Sequence, residues 1–139
     1  MKAAHTKTLT IWCADASYHH CEGEHGRLRR ACTWGLANYL YVLDTGGEVL
    51  SNHQVDEAVY SAQVFLRTYQ QLAVNAVKKE MALWKTRPKG HYFAHMVDAM
   101  QASHMNPKSV HAFGDEDFIG RVTRIASATH GRTVHLRTL

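Results

Sequence analysis

The apolar stripe running through residues 51–84 restricts the fold more than any other stretch of the chain. Val55, Ala58, Val59, Ala62, Phe65, Leu66, Tyr69, Leu72, Ala73, Ala76 and Val77 recur three and four positions apart, the spacing of one face of an α-helix. Ser51 followed by Gln54 forms a capping-box pattern at its start. Asp56 and Glu57 near the beginning, and Lys78, Lys79 and Lys85 near the end, complement the helix dipole. At about 1.5 Å per residue a helix over this stretch spans roughly 45–50 Å, long enough for every other helix to pack on it.

The remaining segments also read as helical. Residues 2–18 place Leu9, Trp12, Cys13 and Ala16 on one face, and the polar 19–26 segment reads as a loop. Residues 27–43 repeat apolar side chains with helical period around Gly35, whose cost of about 1 kcal/mol against alanine points to close packing on another helix. Pro88 and Gly90 put a turn at 86–90, before a helix over 91–103 carrying Phe93, Met96, Val97 and Met100. Asn106-Pro107 forces a turn, 109–114 is extended or loop, 115–129 predicts a fifth helix and 133–139 the beginning of a sixth. No stretch alternates as a strand does. The expected architecture is all-α, one domain over 1–139, with five or six helices packed on the central one.

Three cysteines (Cys13, Cys21 and Cys32) form no CxxC pair, which argues for a reducing compartment rather than a disulfide framework. The first residues lack the apolar core of a signal peptide, and no run reaches the roughly 18–20 apolar residues of a membrane span. Nucleus or cytoplasm is therefore the expected location, with no membrane partner. The net charge of +4 favours anionic partners. Its distribution says more than its size. Lys78, Lys79, Lys85, Arg87 and Lys89 form one basic run, and residues 118–139 hold Arg121, Arg124, Arg132 and Arg137 with no acidic side chain.

Chemistry concentrates in residues 87–120. His91 and His95 are four apart, so on a helix their imidazoles share a face and can converge on one metal ion. A third ligand would come from Glu116, Asp117 or His111. The acidic triplet Asp115-Glu116-Asp117 can hold a divalent cation, and it equally suits the first turn of a helix, where carboxylates cap free N–H groups. Cys13, His19, His20, Cys21, His25 and Cys32 match no common structural-zinc spacing. No GxSxG, phosphate-binding loop, dinucleotide fingerprint or HExxH is present, so nucleophilic catalysis finds no support.

WKTRPKGHYFAHMVDAM (84–100), NPKSVHAFGDEDFIGRV (106–122) and SATHGRTVHLRTL (127–139) together resemble multicopy, mobile-element-like open reading frames of dinoflagellate-type protist genomes. LANYLYVLD (36–44) and Asp56-Glu57-Ala58 are similar to the same family. The order P-K-x-H, x-x-x-H, then an acidic helix start also resembles the C-terminal end of Kyakuja–Dileera–Zisupton-type transposases, whose catalytic domain is RNase H-like. That likeness implies Glu116 as the late metal-binding acid, with His91 and His95 nearby. This chain has Asp-Glu-Asp where those transposases tend to show Asp-Gly-Glu, and it has no cysteine after the histidine pair. It also has no counterpart of the RNase H strands or the early aspartates. The likeness therefore implies a C-terminal helical piece of a larger protein, unable to cut DNA alone.

The expected function is a helical module derived from a mobile-element protein. It would be non-catalytic alone and would contact nucleic acid through Lys85, Arg87, Lys89, Arg121, Arg124 and Arg132. A competing expectation is a metal-dependent enzyme acting on phosphate esters through His91, His95, Glu116 and Asp117. A third is a structural or oligomerising helical bundle.

Overall fold

The computed structural model describes residues 2–109, with side chains from Lys7 onward. They form four helices: α1 (Lys2–His19), α2 (Gly23–Thr45), α3 (Asn52–Lys78) and α4 (Pro88–Ser103). No strand occurs among the described residues; Val49 and Met105 make one isolated antiparallel bridge. The all-α expectation holds, while the count of five or six helices is not matched. The helices expected over 115–129 and 133–139, with the 109–114 link, lie outside the described residues.

The long helix is there, but it is shorter than its apolar stripe suggested. The Ser51 hydroxyl accepts from the Gln54 backbone N–H at 3.3 Å, and the Gln54 side chain accepts from the Ser51 N–H at 3.0 Å, so the capping box forms. At the other end the helix stops at Lys78 instead of running on to Trp84. Glu80 adopts left-handed φ of 54°, its N–H bonding the Val77 carbonyl at 3.0 Å while the Met81 N–H bonds the Ala76 carbonyl at 2.9 Å. Those two bonds are the Schellman pattern that closes a helix C-terminus. Glycine usually occupies the left-handed position, so a glutamate there leaves little trace in the sequence.

Two other boundaries shift for equally local reasons. α2 starts at Gly23, so only residues 20–22 separate it from α1, and Glu24 in its first turn suits the dipole. Pro88 does not hold α4 back. It sits at the first helical position, where a missing N–H costs nothing and its fixed φ fits, and Gly90 lies in the first turn.

Tyr39, Val42 and Leu43 of α2, Val55, Ala58, Val59 and Ala62 of α3, and Val97 and Met100 of α4 build the core with Leu50, and Phe93 packs against them. Gly35 permits the close α2–α3 approach that its place in the sequence suggested. A β-carbon on it would lie 2.7 Å from the Ser61 carbonyl oxygen and 2.9 Å from the Phe65 nitrogen, both α3 backbone atoms. Not every helix rests on α3, however. Among the described elements α1 packs on α2 alone.

Asn106 does far more than break a helix. It is 2 % exposed, and its Nδ2 donates to the carbonyls of Leu43 at 2.8 Å and Gly47 at 2.9 Å. Its own N–H bonds the Glu48 carbonyl, and the Leu50 N–H bonds the His104 carbonyl, each at 2.8 Å. The exit of α4 is thereby tied to the α2–α3 connection.

Candidate functional site

The turn at the end of α3 sends residues 79–87 back across the start of α2. Trp84, also in the left-handed region with φ of 54°, is set edge-on between Tyr69 (5.6 Å between ring centres) and His25 (6.4 Å). The Tyr69 hydroxyl donates to the Lys85 carbonyl at 3.0 Å, fixing the strap to α3. Behind Tyr69 come Phe65, Phe93 and Tyr39 at successive spacings of 5.8, 5.6 and 5.1 Å. These separations suit aromatic pairs, and they connect a core residue to an indole at the surface.

Trp84 forms part of the lining of a cleft of about 540 Å³, together with Glu22 and His25 from the α2 start, Asn75, Lys78 and Lys79 from the α3 end, and Met81. That volume is in the range of small-ligand sites, about 300–1,000 Å³. Lys79, Lys85 and Arg87 on this strap, with Lys78 at the end of α3 and Lys89 at the start of α4, are all exposed, and Glu80 is the only acidic residue in 78–89. None forms an ion pair among the described residues. Lys7 and Lys108 differ, both being paired with Asp44.

Lys78 and Lys79 line the cleft, and Lys85, Arg87 and Lys89 follow Trp84 in the chain as exposed side chains that do not belong to its lining. Arg121, Arg124 and Arg132 lie outside the described residues. His91 and His95 share the exposed face of α4, their Nε2 atoms 2.9 Å apart. Their expected partners Glu116, Asp117 and His111 lie outside the described residues, and no group of three or more possible metal ligands occurs within them. The N-terminal cysteines and histidines do not gather either. Cys32 is buried, and burial pushes its thiol up to about 11, away from the thiolate a metal requires.

The sequence reading missed the cleft itself. With Trp84 assigned to the end of a helix, nothing connected it with His25, fifty-nine positions earlier in the chain. The available signal was a run of cations interrupted by a tryptophan.

A second surface lies between α1 and α2. α1 turns its smaller side chains (Thr10, Cys13, Ala14 and Ser17) toward α2 and leaves Leu9, Ile11, Trp12 and Tyr18 exposed, Trp12 by 64 %. Ile11 joins Trp34, Leu40 and Tyr41 along a groove of about 390 Å³ that Lys7 and Asp44 border. Trp34 in turn meets Tyr60 edge-on at 6.3 Å. A helix with apolar side chains on both flanks of its contact face normally has more than one neighbour.

Among the described residues no helix is long and apolar enough to cross a membrane. No family model, curated protein or solved structure matches the chain.

Proposed function

We propose that the chain is a nucleic-acid-binding helical module of a mobile-element protein, gripping single-stranded segments along the 79–87 strap and the helix ends that flank it, and performing no chemistry by itself. The observation that carries this reading is a tryptophan-lined cleft with Lys78 and Lys79 in its wall, followed along the chain by the exposed and, among the described residues, unpaired Lys85, Arg87 and Lys89. Lysines and an arginine at the spacing of an extended strap follow a phosphate backbone, and an aromatic face receives bases with little sequence preference. The aromatic contacts behind Trp84 hold that face in place before any ligand arrives. Glu22 and Glu24 on the opposite wall repel phosphate, which favours a base in the cleft and the backbone outside it. The resemblance to mobile-element reading frames points the same way.

Binding of a labelled oligothymidylate, followed by anisotropy at several salt concentrations, tests the proposal. Each neutralised phosphate on a single strand contributes about −0.7 to the slope of log affinity against log salt, so engagement of three to five cations gives a slope of about −2 to −3.5. The K85A/R87A/K89A variant should flatten it by about 2. Trp84→Leu should lose about 1–3 kcal/mol of binding, the value of one stacked base. Affinity independent of salt would refute the reading.

A second reading, self-association, is favoured by the exposed apolar side chains of α1. If a second copy covers them, light scattering shows a dimer that Trp12→Glu returns to monomer. A wild-type mass that stays monomeric with rising concentration would remove it.

A further inference from the structure

The imidazoles of His91 and His95 touch through their Nε2 atoms, which are 2.9 Å apart, with the ring centres separated by 4.2 Å and the planes inclined at 74°. Both rings stand on the exposed face of α4, one turn apart. In a five-membered ring with bonds near 1.33 Å each nitrogen sits about 1.1 Å from the centre, so two imidazoles meeting head-on at this distance would have centres roughly 5.2 Å apart. The observed separation is a full ångström shorter, so the two rings do not face each other along one line.

The contact distance defines a bite. With metal–nitrogen bonds of about 2.0–2.1 Å, two nitrogens 2.9 Å apart subtend about 90° at a shared ion, and the ring centres would then lie about 4.5 Å apart. A tetrahedral ion needs its donors roughly 3.3 Å apart at the same bond length. Ninety degrees is the cis angle of tetragonal and octahedral ions, the geometry in which Cu(II) and Ni(II) are found with nitrogen ligands.

We propose that His91 and His95 form a two-imidazole chelate for Cu²⁺ or Ni²⁺ on the surface of α4, the remaining positions being taken by water or small anions. A contact of this length has one Nε2 donating and the other accepting. Chelation requires the donor ring to carry that proton on Nδ1 instead, which leaves both Nε2 lone pairs for the metal. Lys89 and the positive end of α4 oppose a cation here. Lys89 is exposed and screened, and the helix end acts mainly over its first turn, whereas His91 and His95 occupy the fourth and eighth helical positions. The site is distinct from the strap cleft and does not depend on the nucleic-acid reading.

Calorimetric titration of the full chain with Cu²⁺, Ni²⁺ and Zn²⁺, paired with Cu²⁺ electron paramagnetic resonance, tests it. The wild type should bind one Cu²⁺ with higher affinity than any further Cu²⁺ and show hyperfine coupling from two nitrogens. His91→Ala, His95→Ala and the double variant should each lose at least tenfold in Cu²⁺ affinity, and by similar amounts, because either loss destroys the chelate. The order should be Cu²⁺, then Ni²⁺, then Zn²⁺. The H95A/M96H variant keeps the number of histidines but sets them five apart, where they cannot converge, and it should bind as weakly as His95→Ala. Circular dichroism confirms that each variant keeps its helix. Equal Cu²⁺ affinity in wild type and H95A/M96H, or tighter binding of Zn²⁺ than of Ni²⁺, would overturn the proposal.

Discussion

Tyr39 is buried in the core, yet its hydroxyl has no hydrogen-bond partner among the described residues. An unmade hydrogen bond in a dry interior costs about 1–3 kcal/mol. Tyr39→Phe removes the unsatisfied group and keeps the ring against Phe93, so it should raise stability by about 1 kcal/mol, read as a higher urea midpoint at unchanged m-value. The buried thiol of Cys32 gives a pH dependence. Burial raises Cys32 from 9.0 to about 11, so between those values the unfolded chain releases a proton that the fold retains. Stability should therefore be flat with respect to this group below pH 9 and fall as pH rises through 9 to 11, and Cys32→Ala should remove that part of the slope in denaturant titrations. Asn106 is the most demanding position. Asn106→Asp turns an oxygen toward the carbonyls of Leu43 and Gly47, which should cost more than about 3 kcal/mol at neutral pH. Acid should recover part of the loss, since the protonated carboxyl can donate to one of the two carbonyls. A loss of equal size at both pH values would show that the missing donors, and not the buried charge, account for it.

The Schellman turn after α3 holds Glu80 in a left-handed conformation that costs a residue with a β-carbon about 1–2 kcal/mol. Glu80→Gly relieves that cost while leaving both capping bonds in place. Against this, glycine gives the unfolded chain more freedom to lose, by roughly 0.5–1 kcal/mol. The net gain should be about 0.5–1 kcal/mol in thermal or urea unfolding, and a net loss would mean that the glutamate side chain stabilises the turn. The same residue explains what the sequence could and could not disclose. Starts were legible where side chains make the cap, as Ser51 and Gln54 do. The α3 stop was not, because the backbone closes it with a residue that carries no stop signal. Pro88 misled for the opposite reason, since a proline reads as a breaker and serves equally well as the first residue of a helix. For the site, spacing alone set His91 and His95 on one face, and the run of cations stood out by composition. The cleft depended on His25 meeting Trp84 across a fold that periodicity does not specify.

At the scale of the whole molecule the four described helices do not contribute equally to stability. Every member of the core cluster comes from α2, α3, α4 or the Leu50 connection, and no described α1 side chain belongs to it. α1 meets only α2 among the described elements, through small side chains and the Arg30 guanidinium over the Tyr18 ring, with the Lys7–Asp44 ion pair at the edge. Asp44 keeps a second cation, Lys108, whether or not Lys7 is present. Half-exposed ion pairs of this kind are worth about 0–1 kcal/mol, so the pair alone does not bind α1 to the rest. Removal of residues 1–20 should therefore leave a cooperatively unfolding three-helix core, with helical circular dichroism reduced by about the share that α1 contributes. The cost should be confined to the α2 surface that α1 covers, a lowering of a few degrees in Tm. Ending the chain before residue 97 should have a different result, because it removes Val97, Met100 and the Asn106 tie together. Loss of a single sharp transition in the first variant would show that α1 is part of the cooperative unit. Retention of one in the second would show that α2 and α3 fold without α4. If the wild type self-associates and the folded first variant does not, then α1 is held by α2 on one flank and by its partner on the other.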